Sequence, residues 1–142
     1  MRVEWAIPCR YCEVHDQAGL MMIGGGADTF VVPVIPAEIG LWMAIRVAGP
    51  EHELRADHDF EQGVLDPSMD ELSRLHLTLP VAISPLKPEG WEGFRIFPTF
   101  TRIPIQATGG YTIDLAIDGR HTTVGVVVWT PETLPSGQPE AE

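Results

Sequence analysis

The stretch GGYTIDLAIDGRHTTVGVVVW, residues 109–129, reads as a complete β-hairpin whose register its own turn sets. Tyr111, Ile113, Leu115 and Ile117 alternate with Thr112, Asp114, Ala116 and Asp118, the period of two expected of a strand with one buried face. Asp118-Gly119 supplies the positive φ angles of a type I′ turn. With a turn of two residues, Ile117 faces Arg120, Ile113 faces Val124 and Tyr111 faces Val126, which gathers the apolar residues of both strands on one side. One more loop residue would send the valines to the other face. The same register leaves Val127 and Trp129 outward, beyond Asp114 and Thr123, so the outer face turns apolar at one end. Either a loop covers that end, with 91–94 the candidate, or it is a contact surface for a protein partner or a second copy.

Outward from the hairpin, helix signals are scarce and Gly and Pro recur between short apolar runs, as in an antiparallel β-sandwich. About eight strands and at most one short helix are expected. The first strand runs from Val3 to Val14 and is interrupted by Pro8, which marks an edge or a bulge. A polar loop at 15–19 leads into Leu20–Ile23, and Gly24-Gly25-Gly26 ends that strand with a bulge or a close backbone approach. A shorter strand follows over Thr29 to Val34. Leu41, Met43, Ile45 and Val47 alternate before Ala48-Gly49-Pro50-Glu51, and Leu54, Ala56, His58 and Phe60 alternate after it, which predicts a second hairpin. Ser68 and Glu71 have capping-box spacing, so a helical turn is expected near 69–73. Leu75, Leu77 and Leu79 return to strand period, and a further strand spans Phe94 to Ile103. Residues 1–130 read as one sandwich domain, and 131–142 as a flexible acidic, Pro-rich tail too polar to offset the entropy of ordering it.

Twenty acidic against nine basic side chains give a formal charge of −11, which repels nucleic acid and anionic membrane surfaces. No apolar run reaches the roughly 20 residues that span a bilayer, and the first residues lack a signal peptide's apolar core, so a cytoplasmic location is expected. Lys87 is the one lysine, and this Arg-rich usage points to a bacterial origin.

Cys9 and Cys12 form a Cys-x-x-Cys with His15 three residues on, a spacing that serves a zinc site or a redox pair. In an extended strand an offset of three sets the two thiols on opposite faces. Structural cysteines are the preferred reading, and a metal site of Cys9, Cys12 and His15 is the alternative, open if Pro8 introduces a bulge. Asp57, Asp59 and Glu61 alternate within the densest acidic run and would share one strand face, a seat for calcium or a basic partner. It is no EF-hand, because Gly63 is displaced by one position and Ser68 stands where the bidentate Glu belongs. A solvated, edge-protecting face is the plainer reading. His58 falls among Leu54, Ala56 and Phe60 as a structural histidine. No Gly-x-Ser-x-Gly elbow, phosphate loop or dinucleotide fingerprint is present, and no catalytic set is assigned. Trp5, Trp42, Trp91 and Trp129 offer stacking surface for a sugar or small ligand if they share one face.

Tyr111, after two glycines at the start of a late strand, resembles the tyrosine corner of immunoglobulin-like sandwiches, whose hydroxyl bonds to upstream backbone. Position 113 is Ile where antibody domains carry Cys, so the resemblance is to the architecture alone. The segments Ala6-Ile7-Pro8-Cys9-Arg10-Tyr11-Cys12, Gly19-Leu20-Met21-Met22-Ile23-Gly24-Gly25, Leu41 to Val47, Pro104-Ile105, Gly110-Tyr111 and Asp118-Gly119 together look like an uncharacterised bacterial family of chains of this length, a domain of unknown function. The resemblance implies a β-sandwich and transfers no catalytic residues and no cofactor. The expectation from sequence is a non-enzymatic binding or assembly module, with metal binding and sugar or small-ligand binding as alternatives.

Overall fold

In the computed structural model, which describes residues 1–15, 19–79 and 90–135, the side chain of His15 excepted, the 109–129 hairpin forms in the register its sequence sets. Arg120 pairs with Ile117, Val124 with Ile113 and Val126 with Tyr111. Asp118 and Gly119 have φ of 49° and 79°, as the turn requires. The chain runs β1 (Arg2–Cys9), β2 (Tyr11–His15), β3 (Gly19–Ile23), β4 (Thr29–Val31), β5 (Ala37–Gly49), α1 (Glu51–Leu54), β6 (His58–Leu65), β7 (Glu71–Leu79), β8 (Gly93–Ile105), β9 (Gly109–Ile117) and β10 (Arg120–Trp129). The described residues thus hold ten strands, against about eight expected, because the first strand breaks at Arg10.

A three-stranded sheet, β1-β5-β8, packs against a five-stranded sheet, β4-β10-β9-β6-β7, and β2-β3 form a separate two-stranded layer. All pairings are antiparallel except that of β4 with β10. Ile39, Leu41, Met43, Ile45 and Val47 of β5 meet Phe60 and Val64 of β6, Ile113, Leu115 and Ile117 of β9, and Val126 and Val128 of β10 in one core. Burying each of these side chains contributes about 1.5–3 kcal/mol, and this term holds the sheets together. The Phe60 and Phe97 rings meet edge to face across the layers at 5.0 Å.

One polar device crosses this core. Gln62, 1% exposed on β6, donates from Nε2 to Thr101 Oγ1 at 3.0 Å and accepts at Oε1 from Thr99 Oγ1 at 2.7 Å, both on β8. An amide buried without partners would cost more than it returns, so the two threonines are what make Gln62 tolerable there. Tyr111 also bonds as its position predicts, its hydroxyl donating to Ala107 O at 2.7 Å.

Two local expectations are corrected. The alternating runs on either side of 48–51 are not a hairpin: β5 pairs with β1 and β8, β6 pairs with β7 and β9, and α1 carries the chain from one sheet to the other. Alternation gives each strand a buried face but does not say which sheet owns it. The helical turn expected at 69–73 is instead the β6–β7 reversal, in which Asp66 Oδ1 accepts from the Ser68 and Asp70 amides and Met69 has φ of 67°. The helix lies at 51–54. An Asp that caps its own following amides holds a turn as well as a capping box starts a helix, and the two signals overlap here. Residues 16–18 of the polar loop and the tail beyond 135 lie outside the described residues.

Replacing Gln62 by Leu keeps the volume and removes both bonds. Thr99 and Thr101 then face each other without a partner, and urea titration is expected to show a loss of about 1–3 kcal/mol. An unchanged midpoint would contradict the structural role of the bridge.

Candidate functional site

The hairpin register places Thr123, Gly125, Val127 and Trp129 of β10 outward, on the side away from the core. At one end of this face β4 runs alongside, pairing Val127 with Thr29 and Trp129 with Val31. Val127 N donates to Asp28 O and Val32 N to Trp129 O, each at 2.8 Å, so the ladder continues to both sides of β4. Val127 and Trp129 are half-buried, while Val31 beside them is 52% exposed and Val34 is 64% exposed. The outer face therefore ends in an apolar patch of Val31, Val127 and Trp129. Residues 91–94 do not cover it: Phe94 lies on the other sheet beneath the Arg46 guanidinium, 3.8 Å from its ring centre, and Trp91 is 65% exposed. Sequence reading missed Val31, because a parallel pairing between distant strands leaves no turn signal.

The other end of the same face is polar and internally compensated. Arg74 bonds Glu71 at 2.5 Å and Glu61 at 3.0 Å, His76 faces Asp59 at 3.5 Å, and His121 Nδ1 meets both Asp114 oxygens at 3.0 and 3.1 Å. Asp59 and Glu61 do share this face, but each looks across the ladder at a basic side chain, and Asp57 precedes the strand. Exposed pairs of this kind contribute only about 0–1 kcal/mol each, and they keep the strand face solvated.

Cys9 and Cys12 do not lie on opposite faces. The chain breaks at Arg10 and folds β2 back over the outer side of the three-stranded sheet, so both thiols enter one buried cluster with Ala44, against Trp5, Leu20, Met22 and Trp42. Both are 1% exposed and free. Cys9 donates to Trp42 O at 3.7 Å and Cys12 to Met43 O at 3.5 Å. Burial, then the hydrogen bond and charge of Cys9, push the Cys12 thiol up to about 12. The side chain of His15, the third member of the expected set, lies outside the described residues. Among the described residues no three His, Cys, Asp or Glu side chains gather as a metal site would need.

The four tryptophans do not share one face. Trp5 and Trp42 belong to the cysteine cluster, Trp129 to the opposite sheet, and Trp91 precedes β8 in the open. Trp42 instead joins Tyr11 at 5.2 Å and Phe100 at 5.0 Å in an aromatic row on the outer side of the three-stranded sheet. Gly40 leaves room there for the Phe100 ring, which a Cβ would approach to 2.9 Å and push aside.

His58 is structural, as its position suggests. Its ring bonds Glu53 O and Asp118 Oδ2, tying α1 to the turn of the 109–129 hairpin. Burial opposes the charged ring, but those two acceptors outweigh it and raise the His58 pKa above 6.5, because only the imidazolium donates from both nitrogens.

Residues 5–124 match the model of DUF6941, a family of unknown function, and the chain belongs to that family. No curated protein matches the chain. The matched span contains the cysteine cluster, the aromatic row and the polar end of the outer face, and it stops short of Val127 and Trp129.

A thiol held at about 12 is almost wholly protonated near pH 8. Iodoacetamide is therefore expected to label Cys12, followed by peptide mass spectrometry, on the order of 10³-fold more slowly in the folded chain than in the urea-unfolded chain. Comparable rates would mean the cluster is open. For His58 the raised folded pKa means stability that is fully present below pH 6.5 and lost as pH rises through the folded value. Denaturation of wild type and His58→Gln should differ most at pH 5–6 and converge toward pH 8; a constant difference would refute the linkage.

Proposed function

We propose that the chain is a non-enzymatic assembly module that pairs with a second copy of itself through the β4–β10 end of the larger sheet. The observation that carries this reading is the pairing of Val31 with Trp129, which sets an exposed valine beside a half-buried tryptophan on the outward face. Trp is a frequent anchor of protein contacts, and an apolar end beside a polar end on one open face fits the usual make-up of such contacts. Among the described residues β4 has no strand on its other side, so backbone donors and acceptors are available beside the patch. The functional groups elsewhere favour this reading over catalysis: the ion pairs of the outer face compensate one another on an open sheet, both thiols are buried, and that of Cys12 is held protonated. A cytoplasmic, bacterial setting accords with the composition, and no helix among the described residues is long and apolar enough to cross a membrane. The Tyr111–Ala107 bond supports an immunoglobulin-like variety of the sandwich.

A second reading, binding of a sugar or small ligand, is supported by the aromatic row, whose outer member Phe100 is 44% exposed.

Sedimentation of the wild-type chain is expected to give a dimer, and Val31→Glu a folded monomer with an unchanged melting curve. Trp129→Ala should weaken the dimer in the same direction by about 2 kcal/mol or more, the scale of an anchor residue. A wild-type chain that stays monomeric at all accessible concentrations defeats the proposal.

A further inference from the structure

Beneath the β2–β3 hairpin lies a group of three sulfur atoms that neither the main core nor the outer-face patch uses. Cys9 and Cys12 are each 1% exposed in one buried cluster, and their thiols donate to the neighbouring carbonyls of Trp42 and Met43. Cys12 stands directly opposite Met22 in the β2–β3 ladder, and Met22 packs on the same cluster. Directly opposed residues hold their Cβ atoms about 4.5–5.5 Å apart, a gap that a flexible methionine side chain spans. The Met22 thioether reaches the exposed Gly24-Gly25-Gly26 loop: a Cβ on Gly25 would stand 2.7 Å from its methyl carbon and 3.1 Å from its sulfur. Two buried thiols and a thioether thus share one cluster, and the thioether extends toward the exposed loop.

We infer that Cys9, Cys12 and Met22 form a binding site for a soft monovalent cation of the Cu(I) class. Thiolate and thioether sulfur select such ions, which accept two or three ligands, whereas zinc takes four and gains nothing from a thioether. The donors the cluster places together, two thiols and one thioether, fit that difference. On binding, two S–H bonds break and two metal–sulfur bonds form. Both protons leave to solvent, the metal stays monovalent, and no electron is transferred. The filled site carries one negative charge, and the Trp42 and Met43 carbonyls lose the thiol donors they accept from. The β2-β3 pair that covers the site is a sheet of its own, held at its base by the Arg10 N–Ile23 O and Gly26 N–Pro8 O bonds of 3.0 and 2.8 Å.

The test is anaerobic titration of the full chain with Cu(I) against a competing chelator, with X-ray absorption on the loaded wild type. One equivalent bound and only sulfur in the first coordination shell are expected. The Cys9→Ala, Cys12→Ala double variant should lose the uptake, and Met22→Leu, checked for fold by circular dichroism, should bind on the order of tenfold more weakly. Nitrogen or oxygen ligands at the loaded metal, equal uptake by the double variant, or no stoichiometric uptake by wild type would each overturn the assignment. The absorption measurement needs no variant, so it decides the matter even if the alanine substitutions unfold the chain. Wild-type affinity unchanged in Met22→Leu would remove the thioether from the site.

Discussion

The turn at Asp118-Gly119 is the constraint on which the arrangement rests. Two residues in the left-handed region reverse the chain and fix the parity of every position in β9 and β10. β6 then has to present Phe60, Gln62 and Val64 to the same side as Ile117, Leu115 and Ile113, because it pairs with β9 in that register. The core on one side and the patch and ion pairs on the other are consequences of a single count of turn residues. An added residue there would turn valines to solvent and charges to the core, a cost far above the few kcal/mol by which a domain of this size is stable.

Within that frame the smaller sheet is protected at both edges and the larger one is not. Pro8 lies on β1, and Pro98 and Pro104 lie on β8, strands with one neighbour each in their sheet. A proline has no donor to give a ladder, so these positions suit a side with no partner and discourage one from arriving. β4 has no proline and only three residues. Its shortness is its protection from open-ended pairing, and it concentrates the accessible backbone beside Val31. This asymmetry is why we propose the contact at β4 and not along the longer β8.

What was legible in the sequence was what local chemistry writes: the Asp-Gly turn, the alternation of β9, β10 and β5, the edge character of Pro8, the bond made by Tyr111. What was not legible was ownership. Residues 41–47 and 54–60 alternate equally well, yet they belong to different sheets, because the buried Gln62–Thr99–Thr101 bridge and the long β5–β8 ladder, both remote in sequence, decide the pairing. The cysteines failed as an expectation for a related reason. An offset of three separates side chains only along a continuous strand, and the break at Arg10 turns that rule around. Val31 was invisible because parallel neighbours share no turn.

The two outer faces of the sandwich then differ in a way that bears on function. On the smaller sheet the chain's own hairpin roofs the cysteine cluster and Trp42 on the outer side, while Phe100 and the Arg46–Glu4 pair on the same side stay open. On the larger sheet no described segment forms such a roof: charges that pair across strands cover one end, and the other end is left to Val31, Val127 and Trp129. The two proposals follow this difference: the Cu(I)-class site is argued from the sulfur atoms that burial gathers under the hairpin, and the contact with a second copy from the apolar end that the open face leaves uncovered.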